Sequence, residues 1–287
     1  MPRKLTVILG PTAVGKTSYA ISRALECGSP VISCDSRQIF REMRIGTAVP
    51  SDEELESVRH YFIRTVPVTE EYTAGRYSDE ALNLIGRLFA EGHENLVMTG
   101  GSMMYIDAVC KGFDDIPSAA PGVRESLMRK LSEEGVASLA EELRKLDPET
   151  WEGVDRNNPH RLVRALEVCL TTGRPYSSFR KGASRERDFE IEKIGLIRPR
   201  EELYSRIEAR VDTMVEEGLL EEVRSLVKYR DLPALRTVGY QEIFPYLDGK
   251  TSLEEAVSLV KRNTRHYAKR QMTWWRRDQS IQWINLS

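Results

Sequence analysis

The amino-acid sequence predicts an α/β fold, in which helices flank a parallel sheet and an all-helical module is inserted into the chain. Three observations predict it. A glycine-rich loop lies between a strand-like run and a helical pattern, strand-like and helical patterns alternate up to residue 110, and the stretch 115–179 carries helical patterns alone. We therefore expect a core of residues 1–114 and 186–287, with residues 115–185 as the insertion.

The glycine-rich loop fits the spacing G-x-x-x-x-G-K-[ST], and its residues are Gly10, Pro11, Thr12, Ala13, Val14, Gly15, Lys16 and Thr17. The run 5–9 predicts a buried strand before it, and 18–25 a helix behind it. Glycines let backbone amides approach a phosphate chain that the helix N-terminus faces. Lys16 would neutralise terminal phosphates, and Thr17 could ligate Mg²⁺. These features favour a P-loop NTPase-like core over an ordinary glycine turn.

A second short strand is predicted over residues 31–34, and four polar residues follow it: Asp35, Ser36, Arg37 and Gln38. Ligands bind at the carboxyl ends of strands in open α/β sheets, so Asp35 should lie beside the phosphate loop. It is a candidate catalytic carboxylate. An N-cap of the following segment and a Mg²⁺ ligand acting through water are open alternatives for this residue.

The next part of the core continues the alternation after a polar, irregular stretch. We predict a solvated helix start at the acidic run 52–54, a strand at 61–64, a helix over 78–91 and a strand at 95–99. A second glycine turn, 100–102, follows the last strand and opens another helix. Its position at the carboxyl edge of the sheet favours substrate contact over a plain tight turn.

The insertion begins after a turn-rich boundary at 115–121, and its predicted helices cover 123–131, 136–146 and 159–170. In the last of them Leu162, Leu166 and Cys169 share one face, while Arg161 and Arg164 stand on another. Whether these arginines form a solvated face or contact phosphates stays open.

The second part of the core starts with a predicted strand at 189–197 and a long helix from 201 to about 227, on which Arg206 and Arg210 are i,i+4 neighbours. A short loop at 235–241 follows. The last predicted helix, 252–277, is the most basic, and a closing strand is predicted at 281–284. Between 261 and 277 this helix carries seven basic residues and no acid: Lys261, Arg262, Arg265, Lys269, Arg270, Arg276 and Arg277. This clustering favours RNA backbone or diphosphate binding over a solvated face.

Composition describes an ordinary soluble globular protein of 287 residues, with 40% hydrophobic and 30% charged residues and a net charge of −2. The four cysteines have no C-x-x-C spacing, which indicates reduced thiols, and the four scattered histidines argue against a zinc site. No run of about 18 apolar residues and no signal-peptide core is present. A cytoplasmic protein without a membrane partner is expected.

Six ordered motifs of this chain resemble those of the tRNA dimethylallyltransferase family, and they extend over essentially its whole length. They are the P-loop at 10–17, Asp-Ser-Arg-Gln at 35–38, Gly-Gly-Ser-Met-Met-Tyr at 100–105, Asn-Pro-His-Arg-Leu-Val-Arg at 158–164, Arg-Thr-Val-Gly-Tyr at 236–240 and Ala-Lys-Arg-Gln-Met-Thr-Trp at 268–274. Two departures are modest: Ser102 stands where the family usually has Thr, and Phe40 where Tyr is common.

The resemblance implies transfer of a dimethylallyl group from dimethylallyl diphosphate to N6 of adenosine 37, in tRNAs that read codons beginning with U. The P-loop then holds a prenyl diphosphate, although this nucleotide-binding motif is often described as an ATP site. The implied catalytic residues are Asp35, Thr12, Lys16 and Arg210. The cofactor is Mg²⁺, at Thr17 together with the substrate diphosphate.

The resemblance also implies a set of tRNA contacts and a grip of the insertion on the anticodon stem-loop. The implied contact residues are Asp35, Ser36, Arg37, Gln38, Ser102, Arg124, His160, Arg161, Leu162, Val163, Arg164, Arg236, Thr237, Val238, Gly239, Tyr240 and Gln241. Arg37 occupies a variable position of its motif and receives no specific role. The chain ends without the zinc-finger extension of eukaryotic relatives, so a monomeric, bacterial-type enzyme is expected.

Two rival functions share the strand, loop and helix at the start of the chain. A P-loop small-molecule kinase would turn over ATP and need no RNA. An RNA-binding GTPase-like switch would need a guanine-specificity motif such as N-K-x-D, which is missing from the sequence.

Overall fold

The structure is a computed structural model, and it describes residues 3–182 and 185–286. Residue contacts divide the chain into two compact units, Met1–Cys110 with Arg187–Ser287 and Lys111–Glu186. We call the first the sheet unit and the second the helical unit. The predicted boundaries fell at residues 115 and 185, and residues 183 and 184 of the predicted insertion lie outside the described part of the chain.

The sheet unit is built on six strands that all run parallel, which confirms the predicted α/β class. The strands are β1 Lys4–Leu9, β2 Val31–Ser33, β3 His60–Tyr61, β4 Asn95–Thr99, β5 Glu190–Ile197 and β6 Ile281–Asn285, in the order β3-β2-β4-β1-β5-β6. The strand before the glycine loop is therefore central: Lys4 of β1 is aligned with Asn95 on one side and with Glu190 on the other.

Both faces of this sheet are covered, as the apolar runs indicated. In β1, Leu5, Val7 and Leu9 enter one core cluster and Ile8 enters another. Successive side chains of a strand point to opposite faces, so β1 supplies both clusters. The helices before residue 111 are α1 Lys16–Cys27, α2 Asp52–Ser57, α3 Ala74–Ala90 and α4 Met103–Cys110.

The helical unit contains α5 Val123–Glu134, α6 Val136–Leu146, α7 Pro148–Gly153 and α8 Pro159–Thr172, and no strand lies among its described residues. Its core is a set of leucines at helical spacing, including Leu127, Leu139, Leu143 and Leu162. The short helix α7 was not predicted, although Asp147 and Pro148 form a readable start signal: the Asp147 carboxylate accepts a hydrogen bond from Thr150 N at 3.0 Å.

The sheet unit resumes with β5 and four helices, α9 Arg200–Glu216, α10 Leu219–Ser225, α11 Phe244–Leu247 and α12 Leu253–Trp275. Together with residues 37–49 they enclose a third cluster, which includes Ile39, Met43, Val211, Leu219 and Tyr240. None of the helices within 3–182 and 185–286 combines the length and hydropathy that a bilayer span requires.

Two predicted elements extend well past their observed ends, and α3 begins at Ala74, before the predicted start at residue 78. The strand expected at 61–64 ends at Tyr61, because Phe62 and Arg64 have φ angles of 63° and 52°, which a strand cannot accommodate. The helix expected from 201 to 227 ends at Glu216, because Gly218 adopts φ 103° and becomes the N-cap of a separate helix, α10.

Candidate functional site

A cavity of about 480 Å³ opens at the carboxyl edge of the sheet, inside the sheet unit. The loop after β1 contributes Thr12, Lys16 and Thr17, and the loop after β2 contributes Asp35. Arg210 of α9 faces the same space. The five side chains that sequence reasoning assigned to catalysis and to the metal thus line one cavity.

The glycine-rich loop requires its two glycines for different reasons. Gly10 has φ 148°, and a Cβ there would lie 2.6 Å from the Leu196 carbonyl oxygen of β5. Gly15 has φ 111° and immediately precedes α1. The first glycine therefore lets β1 approach β5, and the second directs the amides at the start of α1 into the cavity.

Lys16 is held by its own loop and not by an acid. Its ammonium Nζ donates to the carbonyl oxygens of Gly10 and Pro11, both at 2.9 Å. Burial lowers the pKa of Lys16 to about 8, and the nearby charge of Arg210 acts in the same direction. These carbonyl oxygens carry only partial negative charges, and a phosphate that enters the cavity would give Lys16 a fully charged partner.

Two arginines of α9 reach the glycine-rich loop, as their i,i+4 spacing indicated. Arg210 donates to Thr12 Oγ1 at 3.4 Å, and Arg206 donates to the Ala13 carbonyl at 2.9 Å. Burial lowers the pKa of Arg210. Over the described ranges, no carboxylate forms a salt bridge with Lys16 or Arg210. The cavity therefore has a positive wall that is ready for an anion.

Asp35 uses its two carboxylate oxygens differently. Oδ1 accepts hydrogen bonds from the amides of Arg37 at 2.8 Å and Gln38 at 3.3 Å, which fixes a turn at this point; no helix begins there, so the N-cap alternative is wrong. Oδ2 faces the Gly100–Gly101 turn, 3.7 Å from where a Cβ of Gly101 would stand. Because the backbone anchors one oxygen, the other is presented at a fixed place in the cavity.

The other residues of the 35–38 motif are fixed by contacts within the sheet unit. Ser36 N donates to Ser102 Oγ at 2.7 Å, and Ser102 Oγ donates to Ser36 Oγ at 2.9 Å. Arg37 donates to the carbonyls of Pro233 and Ala234, and burial lowers its pKa. Gln38 donates to the Ala48 carbonyl at 2.8 Å and also lines the cavity. Ser102 thus holds the Asp35 loop in place.

The polar side chains of the cavity wall that sequence reasoning missed include Gln271 of α12, His60 of β3 and Glu54 of α2. His60 donates from Nδ1 to the Val58 carbonyl at 2.8 Å, and burial lowers its pKa. Gln271 lies inside the motif 268–274, so the resemblance had marked its segment without giving it a role. His60 and Glu54 had no such signal.

The segment 236–241 is only partly a surface. The Tyr240 side chain is fully buried, and its hydroxyl donates to Glu222 Oε1 at 2.6 Å. A Cβ on Gly46 would lie 2.6 Å from the Tyr240 ring, so the two residues pack in direct contact. The Tyr240 side chain therefore belongs to the core, and the predicted tRNA contact at this residue stays a prediction for its backbone alone. Arg236 and Gln241 are exposed, Thr237 and Val238 are half-buried, and Gly239 is buried.

The helical unit presents some predicted contact residues and buries others. His160, Arg161 and Arg124 are exposed, whereas Leu162 and Val163 are 0% and 2% exposed in the core of the unit. Both side chains pack in the core cluster of the unit, as the apolar stripe of the helix indicated, and the predicted tRNA contact at these two residues stays a prediction for their backbone alone.

A buried acid accompanies the arginines of the helical unit. Glu167 is 1% exposed, and it accepts from Arg124 at 2.8 Å through Oε1 and from Arg164 at 3.4 Å through Oε2. Arg164 also donates to the Pro117 carbonyl at 3.2 Å. The Arg164 and Arg124 guanidinium groups are therefore oriented from beneath by one carboxylate.

The basic helix α12 carries less free charge than its sequence suggested. Lys261 pairs with Asp212 at 2.6 Å, and Arg265 pairs with Glu208; both acids belong to α9. The remaining basic residues of this helix and its end are exposed: Arg262, Lys269, Arg270, Arg276 and Arg277. Trp275 is buried, and Trp274 donates from Nε1 to Asp107 Oδ2 at 2.8 Å.

The donor set of the cavity suits a magnesium ion that takes most of its ligands from a substrate. No group of three His, Cys, Asp or Glu that could hold a metal occurs in the described ranges. Mg²⁺ commonly keeps several waters and takes one or two protein oxygens plus substrate phosphates. Thr17, beside Lys16 in the cavity wall, offers such an oxygen.

Comparison with protein-family models gives one match, described as IPP transferase, over residues 38–278. Among curated proteins, tRNA dimethylallyltransferase 1 of Bacteroides thetaiotaomicron is 49% identical over 281 residues, which are 98% of this chain and 91% of that protein. A tRNA dimethylallyltransferase 1 of Porphyromonas gingivalis is 51% identical and covers 98% and 93%.

Solved structures with the same fold are also similar in sequence. The tRNA isopentenylpyrophosphate transferase of Bacillus halodurans has a TM-score of 0.71 and 38% identity, covering 99% of this chain and 90% of that one. A eukaryotic dimethylallyltransferase, described as acting on tRNA, has a TM-score of 0.82 and 26% identity, covering 99% and 74%.

Proposed function

This chain belongs to the IPP transferase family, and on that premise we propose that it transfers a dimethylallyl group from dimethylallyl diphosphate to N6 of adenosine 37 in tRNA. The acceptors are tRNAs that read codons beginning with U, and the products are N6-(dimethylallyl)adenosine and diphosphate. One observation carries the proposal: Lys16 and Arg210, neither of which has a salt bridge in the described part of the chain, line the same cavity as the Asp35 carboxylate.

The donor diphosphate occupies the positive wall in this proposal. The phosphates are surrounded by Lys16, Arg210 and the amides at the start of α1. Thr12 connects the glycine-rich loop to Arg210, because its hydroxyl accepts a hydrogen bond from that arginine. As the carbon–oxygen bond breaks, negative charge accumulates on the departing diphosphate, and preorganised cations stabilise it there. Thr17 would hold a Mg²⁺ ion together with the substrate phosphates, and the ion would neutralise part of that charge.

The acceptor is an exocyclic adenine amine, which is a weak nucleophile. While N6 forms its bond to the first carbon of the prenyl group, Asp35 Oδ2 takes the proton that N6 must lose. The backbone amides on Oδ1 keep the carboxylate in place during this step. The base must leave its stack to reach a cavity of this kind.

The wider tRNA contacts remain part of the proposal. In the sheet unit, the exposed side chains of Arg236 and Gln241 and the basic residues of α12 suit a phosphate backbone. In the helical unit, Arg124, His160, Arg161 and Arg164 do so for the anticodon stem-loop. The four free cysteines agree with a cytoplasmic enzyme, and light scattering would measure the proposed monomeric state.

The decisive experiment incubates the protein with unmodified tRNA and labelled dimethylallyl diphosphate, with and without Mg²⁺. We expect label to enter tRNA, and nuclease digestion with mass spectrometry to locate it at position 37. The matched control is the same tRNA with guanosine 37. ATP consumption without transfer to RNA would instead establish the rival P-loop small-molecule kinase.

A further inference from the structure

We propose that Gln271 is a positioning residue that sets the separation between the donor loop and the proton acceptor Asp35. The assignment rests on the transfer reaction proposed above. Gln271 lies on α12, far along the chain from both loops, and its side chain is fully buried. Its amide connects the loop after β1 with the loop after β4.

The two ends of the Gln271 amide bind different loops. Oε1 accepts from the backbone amide of Thr12 at 2.9 Å, and Nε2 donates to the carbonyl oxygen of Gly101 at 2.8 Å. Tyr267, one helical turn earlier, donates to the same Gly101 oxygen at 3.0 Å. Because the Thr12 amide already donates to Gln271, this hydrogen bond fixes the position of the loop.

Each loop continues from Gln271 to a reacting group. On the donor side, Thr12 Oγ1 accepts from Arg210, which faces the diphosphate space. On the acceptor side, Ser102 follows Gly101 and accepts from Ser36 N, the residue after Asp35. One side chain therefore lies between the groups that receive the leaving diphosphate and the carboxylate that takes the proton.

The arrangement demands an amide and a glycine. A side-chain amide offers an acceptor and a donor on one planar group without needing a particular protonation state, and Gln has the length observed here. A Cβ on Gly101 would lie 2.6 Å from Nε2, so any larger residue would displace Gln271. The positions of these loops matter for rate because misplacement of reacting groups by about 1 Å can cost 10²-fold.

The test compares Gln271→Met and Gln271→Glu with the wild type, and Gln279→Met, in an exposed turn, is the matched control. We measure single-turnover transfer at saturating tRNA and donor, and separately the dissociation constants of both. Gln271→Met should lower the transfer rate about 10²-fold while both dissociation constants stay within about threefold. Hydrogen exchange at the Thr12 amide should accelerate in the same variant.

Gln271→Glu supplies a readout that a merely structural role would not move. An ionised Glu accepts from Thr12 but repels the Gly101 carbonyl, whereas a protonated Glu can donate to it. The rate of this variant relative to the wild type should therefore rise as the pH falls, and that of Gln271→Met should not. Taking the ratio removes the titration of Asp35, which both proteins share.

Two results would overturn the assignment. One is a Gln271→Met rate within about threefold of the wild type in a protein with an unchanged thermal midpoint. The other is a rate loss matched by an equal loss of donor binding, which indicates a binding residue. The wild type in the same assay reports on the proposed function independently: without transfer by the wild type, Thr12 exchange and donor-analogue binding still decide whether Gln271 fixes the loop.

Discussion

The two units hold their positive charges in opposite ways. In the cavity of the sheet unit, Lys16 and Arg210 contact carbonyl and hydroxyl oxygens, and burial lowers the pKa of each. In the helical unit, Arg124 and Arg164 have side chains 60% and 39% exposed, and the buried carboxylate of Glu167 pairs with both.

The difference separates two tasks that anion binding can serve. A buried cation without a salt bridge is costly in the free protein; the charge of Asp35 offsets part of this cost, and an anion that enters the cavity offsets more of it. An exposed arginine that pairs with a buried acid has a smaller net charge together with that acid, but its guanidinium group is held in a fixed orientation. Such an arginine suits the backbone of a large polyanion. The four predictions below test this contrast, from the largest effect to the smallest.

Replacing Asp35 by Asn tests the acid that lies beside the glycine-rich loop in the positive cavity. The amide keeps the Oδ1 contacts to Arg37 and Gln38 but cannot take a proton, so single-turnover transfer should fall by about 10² to 10⁴-fold. Binding of tRNA should stay within about tenfold. Asp79→Asn, on the exposed face of α3, is the control. Equal losses of rate and tRNA affinity would make Asp35 a structural residue.

The low pKa of Lys16 predicts pH-dependent donor binding. The pKa of about 8 lies below the usual 10.5, so the free protein loses this proton as the pH rises through 8. The affinity for dimethylallyl diphosphate, measured by calorimetry, should then fall by about tenfold per pH unit up to about 10.

Lys16→Met is the control for this titration. It should bind the donor more weakly at pH 7 and show no break near pH 8. The free energy of unfolding gives the complementary sign: between pH 8 and 10.5 the unfolded chain binds the Lys16 proton more tightly, so the wild type gains stability there and the variant does not. A wild-type donor affinity that stays flat from pH 7 to 10 contradicts the buried, acid-free lysine.

The basic residues of α12 fall into two groups, those that pair with an acid and those that do not. Lys269 and Arg276 are exposed, and neither forms a salt bridge with an acid in the described parts of the chain, whereas Lys261 pairs with Asp212. Lys269→Ala with Arg276→Ala should weaken tRNA binding several-fold and reduce the slope of log K against log salt by about two. Lys261→Ala should change the slope much less. An unchanged slope in the double variant would make this surface a solvated face.

Glu167→Gln should change tRNA affinity least, but the direction of the change distinguishes two explanations. Removing an acid raises the net charge, so simple electrostatics predicts tighter tRNA binding. If Glu167 orients Arg124 and Arg164, affinity should instead fall about threefold, since both guanidinium groups lose their anchor. Glu149→Gln, exposed on α7, is the control in the same unit. Filter binding at two salt concentrations distinguishes the outcomes, and tighter binding rejects the orienting role.

Local pattern was enough to predict the sheet and most of its surroundings. Every strand was anticipated, because short apolar runs between turn signals are a local property. The predicted strand at β3 was too long, because the residue types Phe62 and Arg64 do not indicate a positive φ. Gly218 was visible, but the apolar periodicity on both sides of it concealed the break between α9 and α10.

Site residues that directly follow a strand could be predicted from the sequence. Site residues that depend on contacts between segments distant in sequence could not. Asp35 and Lys16 converge because parallel strands end at one edge. Gln271 binds loops that are remote in sequence, and no local pattern reports such a contact. Leu162 illustrates a conflict that could have been resolved earlier: its periodicity indicated burial, while the motif around it suggested an RNA contact.

The position of β1 between β4 and β5 has a consequence for synthesis on the ribosome. One edge of β1 finds its partner only when residues 190–197 emerge, after the entire helical unit has been made. Until then the nascent chain carries an unpaired strand edge, while the helical unit can use its local contacts to fold first. Gln271 is synthesised later still, so the two halves of the site can be joined only after α12 has emerged.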